Sequence, residues 1–166
     1  QLPERAPDAI ASVVVVEVDG EPAPMASAGI VQEADGSVAM EAALAIIHGE
    51  NLKVEEHGGK SNLGFWTDQK DYAEWHVKIA KPGKFDVEVE IACEPGSEGS
   101  KAVLAAGDQK LGMTVEKTGA WSDFKKVSMG QITIGAAGNM TMTLKAASKP
   151  GAAVMNLRGI MLKPAK

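Results

Sequence analysis

The sequence predicts an all-β chain, an antiparallel two-sheet β-sandwich of jelly-roll type, and three observations carry that prediction. Turn signals recur at short intervals, segments of alternating polarity lie between them, and no stretch has the length and caps of a helix. The turn pairs run Asp19-Gly20, Asp35-Gly36, His48-Gly49, Gly58-Gly59, Pro82-Gly83, Pro95-Gly96, Gly107-Asp108, Thr118-Gly119, Gly138-Asn139 and Pro150-Gly151. Spacing of this kind leaves room only for short strands, about eight to ten of them, and an antiparallel count of that size closes as two packed sheets.

Each element follows from local pattern. Ser12 to Val18 is a β-branched run and reads as a strand, after which Glu21-Pro22-Ala23-Pro24-Met25-Ala26-Ser27-Ala28-Gly29 has the composition of an interdomain linker. A boundary is therefore expected near Gly36, with residues 1–36 a terminal strand of a preceding domain plus linker and residues 37–166 the sandwich. Met40 to Ile47 has helical composition but spans under three turns and lacks a capping residue, so it is read as two short strands. Ala73, Trp75, Val77 and Ile79 share one face of a strand. Phe85, Val87, Val89 and Ile91 do the same, with Asp86, Glu88 and Glu90 opposite as a solvated face. Leu111, Met113 and Val115, and then Met140, Met142 and Leu144, repeat the pattern. In the last strand apolar residues of both parities flank Gly159, which marks a bulge that switches the inward face.

Composition narrows function. The 166 residues of the chain hold 17 Lys and Arg against 22 Asp and Glu, a formal net charge of −5 without basic banks, which argues against nucleic acid as a partner. No apolar run approaches a membrane span. The lone Cys93 excludes an internal disulfide and a Cys-rich zinc site, and reads as a small buried hydrophobe. No Walker loop, dinucleotide fingerprint, His-Glu-x-x-His or Gly-x-Ser-x-Gly is present, so no catalytic residue is assigned. His48, His57 and His76 sit at unrelated spacings and read as solvated. Because the chain opens on Gln1, it is expected to be a mature or excised piece of a longer polypeptide; it is separately expected to be secreted, periplasmic or at the cell surface, and monomeric.

Aromatic residues are only 4% of the chain, so their placement is informative. Trp66 and Trp121 each stand beside polar loops, where an indole either caps the end of the core or offers a flat apolar face to a sugar ring. Trp75 and Phe85 carry core parity.

The order of Met40-Glu41-Ala42, Asn62-Leu63-Gly64-Phe65-Trp66, Asp71-Tyr72-Ala73-Glu74-Trp75, Lys81-Pro82-Gly83-Lys84-Phe85, Thr118-Gly119-Ala120-Trp121 and Asn156-Leu157-Arg158-Gly159-Ile160 resembles galactose-binding-like jelly rolls. It is similar to carbohydrate-binding modules of families six and thirty-five, and to modules appended to alpha-L-fucosidases and sulfatases. The resemblance covers about residues 37–163. It implies a non-catalytic module that binds a polysaccharide or oligosaccharide in end loops, beside a parent catalytic domain. The residues it implies are Phe65 or Trp66, Trp121 and Asn156, the last offering an amide donor and acceptor, or serving only as a turn or edge residue. It also implies a structural calcium, for which Glu41 is the one first-strand acid retained, the second position being Ala43. The opening strand resembles the last strand of the β-sandwich that follows the barrel of fucosidase-type enzymes. Two rival expectations share the fold: an accessory sandwich that packs on its catalytic neighbour and binds nothing, and an adhesion or protein-interaction module with an apolar patch away from the loops.

Overall fold

The computed structural model describes residues 29–165, and within them the chain is an all-β sandwich. Its strands are β1 (Ile30–Val31), β2 (Val38–Glu41), β3 (Ile46–His48), β4 (Lys53–His57), β5 (Lys60–Gly64), β6 (Tyr72–Ile79), β7 (Gly83–Ala92), β8 (Lys101–Ala106), β9 (Gln109–Thr114), β10 (Lys125–Ile134), β11 (Gly138–Ser148) and β12 (Asn156–Pro164). The first sheet runs β1-β6-β11-β8-β9 with β3 also on β6. The second runs β10-β7-β12-β5-β4 with β2 also on β12. Every pairing is antiparallel except that of β1 with β6.

The alternations read from sequence face as expected. Ala73, Trp75, Val77 and Ile79 of β6 and Phe85, Val87, Val89 and Ile91 of β7 are buried and meet Met142, Leu144, Leu157, Ile160 and Leu162 in one core between the sheets. Residues 40–47 end β2, make a single 3₁₀ turn at Ala42–Leu44 and begin β3 in the opposite sheet, so the helical composition is spent on a crossover. At Gly159 the register of β12 against β7 shifts between Leu157 and Gly159, the bulge the sequence signals. A side chain is excluded there, since a Cβ would stand 2.8 Å from the carbonyl oxygen of Met40 on β2.

The boundary expected near Gly36 moves toward the N-terminus. β1 pairs with Val77 and Lys78, and the buried Gln32 amide donates to the carbonyls of Gly36 and Lys81 while accepting from the N–H groups of Ala80 and Lys81. Residues 30–36 therefore belong to the sandwich. The strand expected at Ser12–Val18 and the linker through Ala28 lie outside the described residues.

Cys93 is fully buried, and its desolvation, with the charges of Glu98 and Glu94, pushes the thiol up to about 11. At pH 8 a thiol of that acidity is about 0.1% thiolate. Ellman's reagent is thus expected to react with the folded chain only on unfolding; rapid reaction under native conditions would show that the segment after β7 opens.

Candidate functional site

The site forms where β5 ends and β12 begins. In the antiparallel register Leu157 lies opposite Leu63, so Asn156 comes beside Gly64, the residue before Phe65. Phe65 turns the chain out of β5 with φ of 56°, a left-handed backbone that is rare without glycine and costs an L-residue about 1–2 kcal/mol. Its carbonyl is caught by the N–H of Thr67 at 2.7 Å, and the residue is 55% exposed. Phe65 is thus an exposed aromatic outside the buried core. The ammonium of Lys53 stands 4.9 Å from the ring centroid.

Trp66, the alternative aromatic, is corrected by the same turn. The left-handed step at Phe65 sends the next side chain inward, and Trp66 is fully buried, its indole N–H donating to the carbonyl of Asp71 at 2.9 Å. Its ring is part of the core and is not offered to a ligand. Asp71 locks this corner further. Its carboxylate accepts from the backbone N–H groups of Glu50, Asn51 and Leu52, and a Cβ at Gly49 would run into it.

Trp121 is half-buried in the loop between β9 and β10, whose start is fixed by Thr118, hydrogen bonded to Cys93 through both backbone and hydroxyl. Asn156, 5% exposed, donates from Nδ2 to the Trp121 carbonyl at 2.8 Å and to Glu55 Oε1 at 3.3 Å. The final-strand asparagine therefore ties the tryptophan loop to the sheet and is no free-standing turn residue. Its donors are committed within the protein, which corrects the expectation that the amide offers both a donor and an acceptor.

Glu55, Asn62, Arg158 and Phe124 belong to this site and were not singled out by sequence reading. Glu55 Oε1 receives Asn62 Nδ2 at 2.9 Å and lies 3.1 Å from His57 Nε2. The glycine at 64 makes room for it, since a Cβ there would collide with the carboxylate. Arg158 donates to Glu90 at 2.9 Å and to the His57 carbonyl at 3.1 Å, and its Cζ stands over Phe124 at 3.8 Å from the ring centroid. One signal was available: Lys53, Glu55 and His57 alternate as a polar face of β4, and the β4–β5 hairpin sets Glu55 opposite Asn62.

Beyond this network the outer face of the second sheet forms an open groove of about 480 Å³, lined by Ala39, Glu41, Glu88, Glu90, Arg158 and Met161 among others. Of the acids of β7, Asp86 is exposed as expected, whereas Glu88, within 3.6 Å of Lys126 and 3.8 Å of Lys163, and Glu90, paired with Arg158, are half-buried. Glu41 is exposed at the groove edge, and its backbone carbonyl accepts the indole N–H of Trp75. Among the described residues no three Asp, Glu, His or Cys side chains converge as a metal set. One carboxylate at Glu41 does not by itself supply the six to eight oxygens calcium takes. The histidines are not simply solvated either: His48 and His76 flank the carboxylate of Glu74 at 3.3 and 2.9 Å.

The sandwich places the chain among known folds. It is similar to a family 35 carbohydrate-binding module from Clostridium thermocellum (18% identity, TM-score 0.64, covering 78% of this chain and 98% of that one). It is similar to the C-terminal CBM6 of LamC, a marine laminarinase from Zobellia galactanivorans (17% identity, TM-score 0.63, covering 76% and 98%). It also resembles part of the insecticidal crystal protein Cry2Aa (13% identity, TM-score 0.64, covering 78% of this chain and 21% of that one). At these identities the likeness shows the fold. In sequence, residues 48–166 match the model of the family described as Domain of unknown function (DUF5077), and the chain belongs to that family. No curated protein matches it.

Proposed function

We propose that this chain is a non-catalytic carbohydrate-binding module of a larger exported enzyme, a fucosidase-like glycoside hydrolase or a sulfatase, which it positions on a polysaccharide. The observation that carries this reading is that Asn156 holds the Trp121 carbonyl and sits in register beside Gly64, the residue before the exposed, strained Phe65. Phe65 and Trp121 supply apolar faces on which the C–H side of a sugar ring packs, and the adjoining polar network meets its hydroxyls. The fold neighbours named as carbohydrate-binding modules support the same reading. A site this shallow holds its ligand at micromolar to millimolar strength, on the order of 4–8 kcal/mol, and the parent enzyme gains by tethering.

The test is a titration of the isolated chain with a panel of mono- and polysaccharides that includes fucose and sulfated glycans, read by tryptophan fluorescence and calorimetry, with Phe65→Gly alongside. Glycine adopts the left-handed conformation freely, so Phe65→Gly is expected to leave stability unchanged or raise it by up to about 1 kcal/mol. The same variant is expected to lose at least ten-fold in affinity. A chain that binds nothing across the panel is instead an accessory sandwich that packs on its catalytic neighbour.

A further inference from the structure

The charge class of the ligand follows from how the two asparagines are used, and this step rests on the carbohydrate reading above. Nδ2 of Asn156 has two hydrogens, directed to the Trp121 carbonyl and to Glu55 Oε1. The amide cannot be turned round, because that would set its oxygen against two acceptors. Asn62 likewise spends Nδ2 on Glu55 Oε1, while its Oδ1 is buried without a partner. With His57 Nε2 also at Oε1, three nitrogens crowd one carboxylate oxygen, and no described residue donates to the other.

Around Asn156 the protein therefore presents acceptors: Asn156 Oδ1 and the second oxygen of Glu55. The neighbouring cations have protein contacts, Arg158 Nε alone being buried without an acceptor and so closed to a ligand. Arg158 is held by Glu90, the His57 carbonyl and the ring of Phe124; Lys125 is bound to the Thr118 carbonyl; Lys53 stands over Phe65. An acceptor wall that carries a carboxylate welcomes hydroxyl donors, whose bonds to a charged acceptor are roughly twice as strong as neutral ones. It opposes a carboxylate or sulfate, which brings like charge and no proton to donate. We infer that the site takes a neutral sugar, with hydroxyls donating to Asn156 and Glu55, and that Glu55 is the residue that excludes acidic sugars.

The test uses neutral β-glucan, galactan and mannan, each paired with its C6-oxidised uronate form, measured by calorimetry at pH 8 in 0.3 M NaCl so that long-range repulsion from the net charge is screened. The unmodified chain is expected to bind the neutral member at least ten-fold more tightly in any pair it binds. Glu55→Gln keeps an acceptor for both asparagines and is expected to cut that preference to under three-fold. Asp108→Asn, an equal change in net charge at the exposed β8–β9 turn, is expected to leave it unchanged. A uronate bound as tightly as its neutral partner, or a preference untouched by Glu55→Gln, overturns the inference and leaves the carbohydrate reading standing. Binding to no polysaccharide of either kind overturns that reading and this inference with it. The preference of the unmodified chain decides the matter even if Glu55→Gln fails to fold.

Discussion

Replacement of Trp66 by alanine is expected to destabilise the chain by about 3–5 kcal/mol, a large share of the 5–15 kcal/mol that holds a typical domain together. The indole is fully buried between the sheets and also hydrogen bonds the carbonyl of Asp71, so its removal opens a cavity and leaves that carbonyl without its donor. The damage spreads because Asp71 is the acceptor for three backbone N–H groups of the loop before β4. Urea unfolding followed by far-UV circular dichroism measures the effect, as a lowered midpoint with an unchanged slope. A loss below about 1 kcal/mol would mean that the indole is not the core residue described, and would return Trp66 to the surface site.

Replacement of Asn156 by aspartate is expected to have the largest effect on binding. The new side chain sets two acceptors against the Trp121 carbonyl and Glu55, in place of an amide that donates to both. Loss of these two bonds and the added like charge are expected to cost about 1–3 kcal/mol of stability and at least ten-fold in sugar affinity, because the loop carrying Trp121 is no longer tied to the sheet. Adding Glu55→Gln to this variant removes one of the two opposed charges while keeping an acceptor for Asn62. The double variant is therefore expected to recover part of the stability, which denaturant unfolding of the two single variants and the double variant checks.

Much of the fold was legible because its strands are half-buried. Phe85 to Ile91 states its two faces residue by residue, and Gly159 marks the place where parity changes. The aromatic choice at Phe65-Trp66 was not legible, since two adjacent residues after a strand compete for one inward position and a left-handed φ decides between them. The role of Glu55 was hidden for a different reason. Its partners lie at Asn62 and at Asn156, and only the neighbouring of β4, β5 and β12 in one sheet brings those residues together. Asn156 itself was legible by resemblance, but the direction of its amide depends on a carbonyl 35 residues earlier in the chain. The start of the sandwich was misplaced by several residues because Ile30-Val31 is too short a run to announce a strand, whereas the hydrogen bonds of Gln32 show it plainly.

The most direct measurement is a ¹H–¹⁵N correlation spectrum of the labelled chain during titration with a polysaccharide fragment that binds in the panel. The account predicts that the indole N–H of Trp121, the side-chain amide of Asn156 and the backbone N–H of Phe65 shift together and saturate, while the buried indoles of Trp66 and Trp75 stay in place. Shifts confined to the open groove beside Glu41 and Met161, with Trp121 and Asn156 unmoved, would contradict it.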